Sequence, residues 1–385
     1  MALTKLLAIY HSFPCDNINI LQPPFDTINL HHVPHAPTSS RGGRPTFPPS
    51  WTLTPSARLE IFTTKILPAE LQPCLPSPST TTEDTTNFNL RRRRRRPLAI
   101  LIVGQTGAGK TRLAPLLLRA MTTSHPSHAP PPAHLIADTY KTYHPFYSAC
   151  LSQFPPAQAS VLAGLDARLW LQMVCQHAAE HKIDVLVESA CRHPDDFRKL
   201  AEIFHKGGYV TKVAILAVPE ALSRLGCLVR YWNKLPEAGS RGLPVRLTPR
   251  RVHDESYRGL REAARWVDDD EGEAVDAVVV VRRGNLVGYG NERVELDDGG
   301  RKWVKEPGAL RALEIERARK LSEEEKRIVE EDLEVLRRVG DPKVDEEVEA
   351  IQTLVDGIGV GFLGTFSDLE PLDADEFVRS GLEER

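Results

Sequence analysis

No run of about 18 or more uncharged apolar residues occurs in the 385-residue chain, so the sequence holds no candidate membrane span. None of its six cysteines (Cys15, Cys74, Cys150, Cys175, Cys191 and Cys227) stands in a CxxC pair. Their scatter argues against a zinc site or a disulfide framework and fits a reducing compartment, read here as cytoplasmic. Charge of either sign is not in large excess: the net charge is −3 and the pI near 6.5, which excludes a globally basic nucleic-acid binder. No convincing internal repeat is present. What the chain does have is 30 prolines, unevenly spread, and that unevenness divides it.

Residues 1–90 are rich in Pro, Ser and Thr and poor in apolar periodicity, as in HHVPHAPTSSRGGRPTFPPS. Such composition buries too little surface to offset chain entropy. The expectation is a disordered region, with short helices near Met1–Tyr10 and Ser56–Leu67. The start is poor in acids, but arginine is too sparse and Asp16 and Asp26 intrude on a mitochondrial presequence. Residues 91–97 form an Arg-rich linker, Arg91–Arg96 being six consecutive arginines. A run of this kind is a soluble junction, a localisation signal or a phosphate contact. From Leu98 the pattern changes. LAILIV (98–103), HLIA (134–137), DVLVE (184–188), VTKVAILAV (210–218) and AVDAVVVV (274–281) read as buried strands. Helical spacing over 157–182, 195–206, 219–234 and 249–267 separates the later ones. Alternation of this kind predicts an α/β fold with a parallel sheet flanked by helices over 98–295. Residues 296–385 read as a charged helical extension, with a helix or two ending at Gly340 and another over 343–355.

One motif carries specific chemistry. Gly104-Gln105-Thr106-Gly107-Ala108-Gly109-Lys110-Thr111 fits GxxxxGK[ST], with a buried strand before it and a helix after it. Glycines let backbone N–H groups converge on phosphate oxygens, and the helix N-terminus adds a favourable dipole. Lys110 then neutralises the β- and γ-phosphates, and the Thr111 hydroxyl ligates Mg²⁺. The motif predicts a P-loop NTPase fold that binds a nucleoside triphosphate with Mg²⁺, and leaves the fate of the γ-phosphate open.

Asp138 follows the HLIA strand, on the sheet edge that carries the P-loop. A carboxylate there accepts a hydroxyl proton or caps a turn. His144, before Pro145, reads as a structural residue of that turn. Glu188 ends another strand and is suited to a sugar hydroxyl, to Mg²⁺ through water, or to a helix cap. Arg230 lies on a helix, and Arg246 in a Gly/Pro-rich loop that reads as a mobile lid; Arg224, Arg241, Arg250 and Arg251 compete with them.

In order along the chain, these blocks resemble the zeta-toxin family of P-loop kinases. GQTGAGKT is the phosphate loop, and IADTYKTYHP is similar to the family's strand-Asp-x-[YF]-[KR]-x-x-HP block. DVLVESACR stands where the family has a strand followed by E-G-T-x-R. GGYVTKVAILAVP, SRLGCLVRYW and VRLTPRRVHDESYRGL resemble its remaining strand, its two lid arginines and its T-P-x-x-x-H-D helix. The resemblance covers about residues 98–295. It implies an ATP-dependent kinase; in bacterial members the acceptor is a 3′-hydroxyl of UDP-N-acetylglucosamine, and an antitoxin blocks the site. By position it makes Asp138 the general base, Lys110 and Thr111 the phosphate and Mg²⁺ residues, and Arg230 and Arg246 the stabilisers of the transferring group. Glu188, Arg192, Lys141 and Gln172 fall on the acceptor side. Two departures stand there: Ser189-Ala190 replaces Gly-Thr, and Gln172 replaces a substrate-contacting glutamate.

The expected function is therefore transfer of the γ-phosphoryl group to a hydroxyl of a small acceptor, such as a nucleotide sugar. The rival readings are a polynucleotide or other small-molecule kinase, motivated by Arg91–Arg96, and a nucleotide-binding scaffold without turnover. The expected partners are ATP and the small acceptor. No membrane or nucleic-acid partner is indicated, and neither terminal extension shows an antitoxin segment.

Overall fold

The computed structural model describes residues 51–75, 95–124, 129–154, 156–234, 247–269, 273–297, 299–359 and 369–382. In chain order the elements are α1 (Pro55–Ile61), α2 (Leu67–Glu70), β1 (Leu98–Val103), α3 (Lys110–Thr123), β2 (Ala133–Ile136), α4 (Tyr147–Gln153), α5 (Pro156–Glu180), β3 (Val185–Ser189), α6 (Pro194–Lys206), β4 (Val210–Leu216), α7 (Glu220–Trp232), α8 (Arg250–Asp268), β5 (Ala277–Arg282), β6 (Leu286–Glu295), β7 (Arg301–Trp303), α9 (Ala309–Ala318), α10 (Glu323–Arg337), α11 (Pro342–Asp356), β8 (Glu370–Pro371) and α12 (Ala374–Arg379). The strands form one sheet in the order β2-β3-β1-β4-β5-β6-β7, with β8 beside β6. The first five are parallel; β6 and β7 are antiparallel.

Every residue of β1, β3 and β4 is buried, as continuous apolar runs covered on both faces require. Parallel pairing of β1 with both β3 and β4 puts the carboxyl ends of the central strands on one edge, and the loops after them carry the candidate site. A three-residue turn joins β5 to β6, with Gly284 and Asn285 both at positive φ.

Within the Pro/Ser/Thr-rich region, residues 53–75 are folded. Pro55–Ile61 runs through a π-helical turn, Phe62–Ile66, into α2. Thr54 caps the start, its hydroxyl accepting from the Ala57 amide. Leu53, Ile61, Phe62, Ile66 and Leu71 are buried and form the apolar face of this segment, where a short helix near Ser56–Leu67 was expected. Arg58 pairs with Asp166 and its carbonyl accepts from Trp170 Nε1 at 3.1 Å, so α1 is fastened to α5. The rest of the region expected to be disordered, including Met1–Tyr10, and Arg91–Arg94 of the linker lie outside the described residues. Arg95 pairs with Asp184 at 3.2 Å, and Arg96 donates to the Tyr209 carbonyl at 2.7 Å.

The charged C-terminal helices are not detached. α10 buries Val329, Leu333 and Leu336, and α11 buries Val344, Val348 and Ile351, all in the core cluster that also holds residues of α3 and α7. Ser322 and Glu325 close a capping box at the start of α10. Among the described residues, no helix is long and apolar enough to cross a membrane.

Candidate active site

The loop between β1 and α3 has the geometry a phosphate cradle needs. Gly107 and Gly109 take φ of 77° and 100°, where a side chain is strained. At Gly107 a Cβ would also stand 2.0 Å from the Ser223 carbonyl oxygen. At Gly109 nothing lies within 4 Å of a built Cβ, so that side of the loop opens outward. Lys110 Nζ donates to the carbonyls of Gly104 at 2.8 Å and Gln105 at 3.3 Å. Thr111 is exposed in the first turn of α3.

The charges around Lys110 come from three elements. Burial lowers its ammonium pKa from the ordinary lysine value. The carboxylates of Glu188 and Asp138 act against that shift, and Arg230 adds to it. Glu188, at the end of β3, is buried and hydrogen-bonded to His134 Nε2 at 2.9 Å. Arg230, in the last turn of α7, donates to Thr248 Oγ1 at 3.3 Å. Asp138 is the residue before a short 3₁₀ turn (Thr139–Tyr143), yet its side chain makes no capping hydrogen bond there. Instead its Oδ1 accepts from Lys141 Nζ at 2.6 Å.

Beside Asp138 opens a cleft of about 100 Å³. Asp138, Lys141, Gln172 and Arg192 line it, which brings four sequence-predicted residues to one surface. Arg192 is held there by Glu255, whose Oε2 lies 2.5 Å from Nη2. Glu188 is not on the cleft wall; it faces His134 and the Lys110 charge. Arg246 lies outside the described residues. His144 is buried, accepts from the Phe146 amide through Nδ1 at 3.3 Å and lies 3.3 Å from Asp166, a turn-fixing arrangement.

Sequence reasoning missed several participants. Arg168 and Asp196 also line the cleft. Burial raises the Asp196 carboxyl, and Arg168 is the strongest of the cations opposing that rise. Arg168 stands one helical turn before Gln172, so helical periodicity was the available signal. Around the loop itself, Arg283 donates to the carbonyls of Gly107 at 2.6 Å and Leu222 at 2.9 Å. Ser256 lies 3.2 Å from the Thr106 amide, whose N–H it accepts. The Gly284-Asn285 pair between two apolar runs was the signal for the turn that delivers Arg283.

The family model for Zeta toxin matches residues 80–294, more than half of the chain. The chain belongs to the Zeta toxin family. Toxin PezT of Streptococcus pneumoniae serotype 4 is 23% identical over 179 residues, covering 46% of this chain and 66% of PezT. Toxin zeta of Enterococcus hirae is 23% identical over 173 residues, covering 44% of this chain and 56% of that toxin. The matches thus span between half and two thirds of these relatives. Among solved structures, one from the characterisation of the PezAT chromosomal toxin–antitoxin system of S. pneumoniae superposes with a TM-score of 0.52 at 17% identity. It covers 78% of this chain and 99% of that one, which shows a shared fold. These findings correct one expectation. No antitoxin partner was expected, since neither terminal extension shows such a segment; the similar proteins of the Zeta toxin family are nevertheless toxins, and the solved one belongs to a toxin–antitoxin system.

Proposed function

We propose that this Zeta toxin family member is a phosphotransferase that moves the γ-phosphoryl group of ATP to a hydroxyl of a small acceptor, with a nucleotide sugar such as UDP-N-acetylglucosamine as the finer reading. One observation carries it: the Lys110 ammonium is within electrostatic reach of Asp138, and Asp138 lines the cleft beside the loop. In this reading the phosphate grip and the candidate base share one junction.

The loop amides and Lys110 hold the β- and γ-phosphates. A bound Mg²⁺ would neutralise phosphate charge, and Thr111 and Glu188 are the residues that would hold it. Asp138, oriented by Lys141, accepts the acceptor's hydroxyl proton. The hydroxyl oxygen bonds to the γ-phosphorus as the bond to the β–γ bridging oxygen breaks, and ADP leaves. Arg230 stabilises charge on the group in flight, with Arg246, which lies outside the described residues, as a second candidate. Arg192, Gln172 and Arg168 bind the acceptor. By family membership, we also propose a protein of the antitoxin class as the macromolecular partner.

The test is incubation with γ-labelled ATP and a panel of nucleotide sugars, nucleosides and small alcohols. Label should enter an acceptor, and Asp138→Asn should abolish transfer while leaving ATP binding intact. Release of label to water alone would make the protein an ATPase and refute the reading.

A further inference from the structure

Helix α9 begins beyond residue 294, where the family match ends, yet it reaches the phosphate loop. Arg317, in its last turn, is 7% exposed. Its Nη2 donates to Gln105 Oε1 at 3.0 Å, and its Nη1 donates to the Tyr257 carbonyl at 2.9 Å. The guanidinium lies over the Tyr257 ring, 3.7 Å from its centre. Gln105 is itself buried and donates through Nε2 to the Val218 carbonyl at 2.7 Å and to Ser223 Oγ at 3.3 Å. Tyr257 stands on α8 next to Ser256, which accepts the Thr106 amide, and one turn after His253, which lies 2.8 Å from Ser223 Oγ. A single guanidinium thus joins α9, α8 and the second residue of the loop.

A guanidinium is a costly group to place here. Burial costs it enough to lower its pKa to about 10. Among the described residues no carboxylate lies within ion-pair distance of it, and its Nε has no hydrogen-bond partner. An apolar side chain would pack the same space without that cost. The Glu220 carboxylate offsets that burial only in part, and an anion held by the loop would add to the compensation.

We propose that Arg317 is a positioning residue of the nucleotide site, fixing the Gln105 amide and through it the loop backbone, and that α9 is therefore part of the catalytic unit. This rests on the reading that the loop binds a nucleoside triphosphate. The test is titration of the full chain with a fluorescent non-hydrolysable ATP analogue, followed by steady-state kinetics on the labelled acceptor. Wild type should bind, and Lys110→Ala should bind far more weakly. Arg317→Ala should weaken binding by about tenfold or more. It should raise the KM for ATP and leave the acceptor's KM unchanged. Arg317→Lys, which keeps charge but loses the planar fork, should fall between. Gln105→Ala combined with Arg317→Ala should cost less than the two single losses together, as expected of partners in one contact. Glu314→Ala, on the exposed face of α9, should leave affinity unchanged. If Arg317→Ala does not fold, Arg317→Lys and Gln105→Ala give the same comparison. A folded Arg317 variant that binds the analogue like wild type overturns the inference alone. Wild type that fails to bind overturns the nucleotide reading, and this inference with it.

Discussion

His134 Nε2 lies 2.9 Å from Glu188 Oε1, across the pairing of β2 with β3. The contact holds a buried carboxylate at the carboxyl end of a strand adjacent to β1, where the Lys110 ammonium feels it more than any other charge. Glu188→Gln keeps the shape and removes the charge. It should lower kcat by about a hundredfold or more, with the loss eased by raised Mg²⁺. His134→Ala frees the carboxylate to turn and should cost about tenfold. Turnover measured across Mg²⁺ concentrations checks both; a Glu188→Gln enzyme indistinguishable from wild type would remove this carboxylate from the site.

Arg230 adds positive charge beside Lys110, and Thr248, just before α8, accepts one of its N–H groups. Charge stabilisation of a transferring phosphoryl group is needed most in the transition state. Arg230→Ala should therefore cut kcat by roughly 10³-fold with a smaller change in ATP affinity. Thr248→Val should produce a weaker version of the same pattern. Equal losses in kcat and in ground-state binding would reassign Arg230 to substrate binding.

Much of this arrangement was legible before the structure. LAILIV and GQTGAGKT announce β1, the loop and α3 because each position is dictated locally, by burial or by backbone freedom. Asp138 was legible for a similar reason, as the first carboxylate after the next strand. What local pattern could not carry is contact across long separations. Arg317 and Gln105 are joined only once α8 and α9 pack together, and nothing in GALRALEIERAR distinguishes Arg317 from Arg311, which is exposed. The helix expected near Ser56–Leu67 was legible from its apolar spacing, although the Pro/Ser/Thr-rich region around it was read as disordered; Phe62, Ile66 and Leu71, almost wholly buried, decide how it packs. His134 was hidden by its place within a short strand, where a histidine usually signals little.

The cleft beside Asp138 differs in charge from what the family resemblance implies. Gln172 supplies an amide in place of a carboxylate, while Arg168 and Asp196 add a cation and a desolvated acid to the wall. Arg168→Ala should raise the KM for the acceptor by about tenfold with the KM for ATP unchanged. Gln172→Glu should shift preference among acceptors in the labelled panel rather than abolish transfer, since an amide donates where a carboxylate only accepts. An unchanged acceptor profile in both variants would place the acceptor elsewhere.

Lys212 offers a test of the C-terminal segment that does not touch the chemistry. It is 1% exposed on β4, in the half of the strand away from the loop-bearing edge. Its Nζ donates to the Phe377 carbonyl, to the Val378 carbonyl at 3.3 Å, and to Ser380 through O at 2.6 Å and Oγ at 2.9 Å. It thereby caps the end of α12. Burial lowers its pKa to about 8 from 10.5, despite opposing charges on Glu292 and Asp276. Below pH 8 the folded and unfolded chains both hold the proton, and the fold bears the full cost of the buried ammonium. Between about 8 and 10.5 the unfolded chain binds more protons, so this residue's contribution to stability rises with pH. The Tm difference between wild type and Lys212→Met should therefore move in favour of wild type from pH 7.5 to pH 10. Phosphoryl transfer at pH 7 should be unaffected in the variant. A pH-independent Tm difference would mean that the ammonium is not desolvated in the folded protein.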